Sequence, residues 1–107
     1  MAMSDKQCAE LYEKAYAAGM EAGAAAYDEV NWWPCGFGWV DVKPANCKFA
    51  VWMRNKGYAK KSGYKPGAYI WVGEFNQSMD AKYAFAVAFA GVLKEAGVKA
   101  EAGSRMD

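Results

Sequence analysis

Trp39, Tyr69 and Trp71 fall on alternating positions of two short, strand-like segments, and Lys60, Lys61 and Lys65 crowd the approach to the second. Those residue types suit a particular chemistry. An aromatic face stacks on a nucleobase or fills a pocket in a protein partner, while an ammonium group neutralises a phosphate. Phe37, two positions before Trp39, extends the aromatic set, and Arg54 adds a cation that could hold an anion. The candidate binding residues are therefore Phe37, Trp39, Tyr69, Trp71, Lys60, Lys61, Lys65 and Arg54.

Groups fitted for catalysis are scarce. The chain has no histidine, which excludes Ser-His-Asp and Cys-His nucleophilic chemistry. Lys61-Ser62-Gly63 lacks the glycine spacing of a phosphate-binding loop. Gly36-Phe37-Gly38 opens a strand rather than joining strand to helix, so it is no dinucleotide loop. Asp41 and Glu74 belong to opposite faces by alternation, which argues against a paired-carboxylate site. An enzyme acting on phosphorylated substrates would have to hold its anion on Arg54 or the Lys60 to Lys65 stretch. The three cysteines, Cys8, Cys35 and Cys47, form no CxxC pair, and a zinc site built on them would need a fourth ligand. They read as reduced, buried thiols, which points to a cytoplasmic compartment. The expectation is binding without catalysis, with no metal and no cofactor.

The elements that must position these residues follow from pattern. At 107 residues with 54% apolar side chains, the chain has the length and composition of one domain. Residues 1–41 carry net charge −5, residues 42–73 carry +7 with no acid at all, and residues 74–107 carry −1. Segregation of this kind fits an anionic partner or an acidic helix lying on a basic surface. No apolar leader opens the chain, and its longest apolar run, 83–93, is about half a membrane span.

Ser4 and Gln7 form a capping box, and Cys8, Leu11, Tyr12, Ala15, Ala18, Gly19, Ala22 and Ala26 recur at helical steps. The small residues of that stripe let another surface approach closely, and the aromatic sheet face is the expected neighbour. Residues 28–36, with Trp32 and Trp33, read as a connector. Residues 37–43 alternate as a strand, with Phe37, Trp39 and Asp41 on one face and Gly38, Val40 and Val42 on the other. A helix is expected from Pro44 to Lys56, closed by Gly57. A short lysine-bearing edge strand follows at 58–61, then a hairpin turn and a strand at 68–72. Ser78 caps a last helix that ends at Gly97 and is apolar almost all round between Tyr83 and Leu93, so it must be buried on two sides or at a subunit interface. Val98 to Ala102 alternates as a final strand.

This order predicts an α+β domain over 31–107 of ferredoxin-like βαββαβ plan, an antiparallel sheet, with an N-terminal helix in residues 1–30 packed on it. In that plan Phe37, Trp39, Tyr69 and Trp71 share the uncovered sheet face, with Trp39 roughly opposite Trp71. RNA-recognition-motif domains use the same face. The stretch 65–72 is similar to their third-strand pattern at Lys65, Ala68, Tyr69 and Ile70, and departs from it at Pro66, Gly67 and Val72.

The motifs Cys-Gly-Phe-Gly-Trp-Val-Asp-Val-Lys-Pro (35–44), Lys-Phe-Ala-x-Trp (48–52), Ile-Trp-Val (70–72), Asn-Gln-Ser-Met (76–79) and Gly-Ser-Arg-Met-Asp (103–107) resemble a family of small uncharacterised phage and prophage proteins. The resemblance implies a viral origin and the cytoplasm of an infected host, draws attention to Gln77, Ser78, Ser104 and Arg105, and carries no activity, catalytic residue or cofactor. Two readings remain open. One is an accessory protein that contacts a protein partner or a second copy of itself. The other is a single-stranded nucleic-acid binder using the aromatic face and its lysines.

Overall fold

The computed structural model describes residues 4–26, 36–43, 47–61, 68–71 and 79–106. The connector carrying Trp32 and Trp33, the turn carrying Lys65, and the Ser78 cap lie outside the described residues. The elements are α1 (Asp5–Ala26), β1 (Gly36–Lys43), α2 (Lys48–Lys56), β2 (Lys60–Lys61), β3 (Ala68–Trp71), α3 (Met79–Glu95) and β4 (Lys99–Met106). It is an α+β fold. The four strands run in the order β2-β3-β1-β4, each antiparallel to its neighbour.

Local chemistry sets the helix ends. The Ser4 N–H donates to Gln7 Oε1 at 2.9 Å and the Gln7 N–H donates to Ser4 Oγ at 3.1 Å. Two first-turn donors that a helix cannot satisfy by itself are thereby answered. α2 begins later than Pro44: Cys47 is extended at φ −69°, ψ 155°, so the helix starts at Lys48. Gly57 and Gly97 close α2 and α3 at φ 82° and 86°, the left-handed conformation that lets the following N–H groups turn back onto the last carbonyls. Tyr58 N–H reaches Met53 O at 2.9 Å, and Val98 N–H reaches Leu93 O at 2.9 Å.

The even-numbered positions of β1 face the helices. Val40 and Val42 are fully buried together with Ala68, Phe49, Met53, Phe89 and Leu93. α3 lies over β1 and β4 and carries α1 along one flank. The rings of Tyr12 and Phe89 meet edge to face at 5.6 Å, as do Tyr16 and Phe85. Residues advance along α1 as they recede along α3, so the two helices are antiparallel. Much of the apolar surface of α3 is thus covered within one chain, by the sheet on one side and α1 on another, while Tyr83 and Val87 stay exposed.

Besides the later start of α2 and the shorter edge strand, Lys60–Lys61 rather than 58–61, two larger expectations change. α1 does not cover the aromatic face of the sheet. Its small-residue stripe instead receives Phe85 of α3, whose ring would lie 2.8 Å from a Cβ placed on Gly19. The bulky neighbour that the stripe calls for is in the helical layer, where Tyr12 also stacks on Tyr58 at 4.4 Å and meets Trp52 at 5.9 Å. The last strand, for its part, does not stop at Ala102. It continues to Met106, because residues 103–106 pair with 36–39 in unbroken register.

Candidate functional site

Backbone register arranges the face of the sheet opposite the helices in rows. One row runs Trp71, Trp39, Gly103 across β3, β1 and β4. The next runs Lys60, Tyr69, Asp41, Glu101 across all four strands. Beyond these, Phe37 is opposite Arg105 and Lys43 is opposite Lys99. The expected juxtaposition of Trp39 and Trp71 therefore holds, and Tyr69 lies one row away.

Trp39 is the middle member of the first row. It is half-buried, and its indole Nε1 donates to Asp41 Oδ2 at 3.3 Å, two residues along the same strand and on the same face. The ring lies against Gly103 of β4. A Cβ on Gly103 would come within 2.5 Å of the indole, so only a glycine lets the ring lie there. The Asp41 carboxylate and the bare backbone of Gly103 both bear on the indole.

Of the two carboxylates that the sequence singled out, Asp41 lies on this face. Glu74 lies outside the described residues, and Asp41 instead has Glu101 as its direct cross-strand neighbour. The signal was present in the odd-numbered run Lys99, Glu101, Gly103, Arg105. Its pairing with β1 is a long-range fact that local alternation cannot supply. Asp41 and Glu101 line a shallow depression of about 400 Å³ together with Lys43, Lys94 and Lys99. Its wall mixes three ammonium groups with two carboxylates.

The remaining candidates are distributed unevenly. Lys60 is opposite Tyr69 and Lys61 opposite Ala68 in the register, and Lys65 lies outside the described residues. Arg54 is half-buried on α2, in the helical layer, across the sheet from Trp39 and Tyr69. The sheet therefore separates it from the aromatic positions with which the sequence grouped it. Between α1 and α2 a second depression of about 480 Å³ holds Lys6, Lys48, Lys56 and Trp52. The Lys48 ammonium donates to Asp5 there at 2.6 Å. That bond and the lysine's charge hold the Asp5 carboxyl below its ordinary value, and the same bond raises Lys48. Burial pushes the Cys8 thiol up, which favours the neutral form. Among the described residues, no three His, Cys, Asp or Glu side chains gather closely enough to hold a metal ion. No described helix is long and apolar enough to cross a membrane.

Comparison with known proteins finds no matching family model, no matching curated protein and no matching solved structure.

Proposed function

We propose that this chain is a small, non-catalytic interaction protein that engages a protein partner through the open face of its sheet. The observation that carries this reading is the environment of Trp39. A half-buried indole lies against Gly103 and is hydrogen-bonded to Asp41, with Tyr69 in the next row of the register and the described helices on the other side of the sheet. Large, pre-oriented aromatics ringed by mixed charge are the usual anchors of protein contacts. The framework we assign is ferredoxin-like βαββαβ with α1 added, in keeping with the strand order β2-β3-β1-β4. A phage or prophage origin, and with it the cytoplasm of a bacterial host, rests on the short motifs alone.

Single-stranded nucleic acid is the second reading. The position of Lys60 opposite Tyr69, and of Lys43 opposite Lys99, favours it. The adjacent carboxylates of Asp41 and Glu101 weigh against it, because phosphates would be drawn onto a row that already carries two negative charges. Two measurements separate the readings. A photo-crosslinking side chain installed at Tyr69 should capture one discrete protein in a bacterial host, while the same group at Glu13, on the outer side of α1, should not. Equal capture at both positions, or none at either, sinks the protein-contact reading. Titration with oligothymidylate at low salt should leave tryptophan fluorescence unchanged. Quenching that fades steeply as salt rises would transfer the assignment to nucleic acid.

A further inference from the structure

We propose that the outer edge of β4 is the seat of a second copy of this chain, joined by antiparallel β4–β4 pairing centred on Gly103. This contact uses the edge of the sheet and stands independently of the partner proposed for its open face.

The two edges of the sheet are unequal. β2 ends it with two residues, both lysines, a length and charge that discourage pairing. β4 ends it with eight residues, free of proline and in unbroken register with β1. A long regular edge offers a row of N–H and C=O groups that another strand would satisfy, and among the described residues no strand pairs there.

Parity and charge select the register. If two copies keep their helices on the same side of a continuous sheet, opposite residues must come from the same face, so odd positions meet odd positions. On β4 those are Lys99, Glu101, Gly103 and Arg105. Centring on Gly103 sets Glu101 of each copy opposite Arg105 of the other, which gives two attractive pairs. Centring on Ala102 sets Lys99 against Arg105 twice, and centring on Glu101 sets that carboxylate against its own copy. Centring on Ser104 leaves Arg105 opposite Gly103 with no ion pair. Centring on Ala100 pairs Lys99 with Glu101 but keeps only residues 99–101 in the ladder. The Gly103 register alone combines opposite charges with a long ladder.

The flank of α3 agrees. Phe85 and Phe89 turn toward α1. Tyr83 and Val87, one turn apart, lie on the other flank and are 44% and 48% exposed. Lys82 packs on Gly38, whose partner in β4 is Ser104, so Tyr83 stands level with the proposed two-fold axis. Strands about 4.8 Å apart would bring the two copies of α3 to roughly 10 Å, the spacing of packed helices. Tyr83 and Val87 would then be covered. The two open faces would merge into one platform, with a Trp39 on each side of the paired glycines.

Sedimentation equilibrium of the full chain tests this. The wild-type chain should be dimeric at micromolar concentration. Glu101→Arg and Arg105→Glu each set like charges against each other twice, and each should weaken self-association about tenfold or more. Mixing these two variants should restore a dimer, because each complements the other, and the double variant should dimerise like wild type. Val87→Asp should weaken the dimer as well. A wild-type chain still monomeric at about 100 µM, or single variants that dimerise unchanged, would overturn the proposal. So would a mixture of well-folded single variants that fails to associate. If a single variant does not fold, the double variant decides: a dimer of wild-type strength supports the register, and a monomer refutes it.

Discussion

The indole of Trp39 lies so close over Gly103 that a methyl group at that position would collide with it, at 2.5 Å from the ring. Gly103→Ala should therefore push the ring away from Asp41 and cost roughly 1–3 kcal/mol, the usual penalty of overpacking a fitted contact. Urea denaturation and the tryptophan emission maximum would report the two effects together. A variant of unchanged stability and emission would mean that the ring does not lie there. Cys8 offers a second check at this scale. It is fully buried, and burial raises its thiol. Since the thiolate is the reactive form, iodoacetamide should spare Cys8 in the native protein and modify it on unfolding. Alternation in 37–43 was enough to read that Trp39 and Asp41 share a face. That Gly103 and Glu101 meet them was not legible, because the residues of β4 reach β1 only through some 60 residues of intervening chain.

At the scale of elements, α1 carries the most instructive difference between pattern and structure. Its stripe of alanine and glycine correctly implied a bulky neighbour but could not say which of two aromatic surfaces it would be. Burial favours the helical layer, where Phe85 and Phe89 would otherwise face water. Gly19→Ala tests the contact through the sign of its effect. In a free helix the change would stabilise by about 1 kcal/mol. Here the new methyl meets the Phe85 ring at 2.8 Å, so a net loss of thermal stability is expected, and a gain would show that α1 packs less closely. The first turn of α1 is tied to α2 by Asp5 and Lys48. A carboxyl lowered in the folded state contributes stability above its unfolded value, near 3.8, and loses that contribution as pH falls through the lower folded value. Asp5→Asn should remove this small acid-limb dependence and leave stability between pH 5 and pH 8 nearly flat. The change is read by comparing urea midpoints of the two proteins from pH 2 to pH 6.

For the molecule as a whole, Phe89 is the keystone of the helical layer. It is fully buried in the cluster that contains β1 and meets both Tyr12 of α1 and Phe85 of α3. Phe89→Ala should cost about 3–5 kcal/mol, a large share of the ~5–15 kcal/mol that holds a domain of this size folded. Calorimetry should show a single transition at much lower temperature. Two separate transitions would mean that α1 folds independently of the rest. By itself, the sequence determined the Ser4 cap of α1 and the glycine ends of α2 and α3, the alternation of β1, the pairing of Trp39 with Trp71 in the register, and the absence of histidine. These are properties of near neighbours, fixed by hydrogen-bond reach and by the two-residue and 3.6-residue periods. Only the tertiary structure decided where α1 docks, how far β4 runs, that Arg54 stands across the sheet from the aromatics, and that Asp41 faces Glu101. Each of those depends on which distant surfaces bury each other, and many arrangements of the same local pattern compete until the whole core closes.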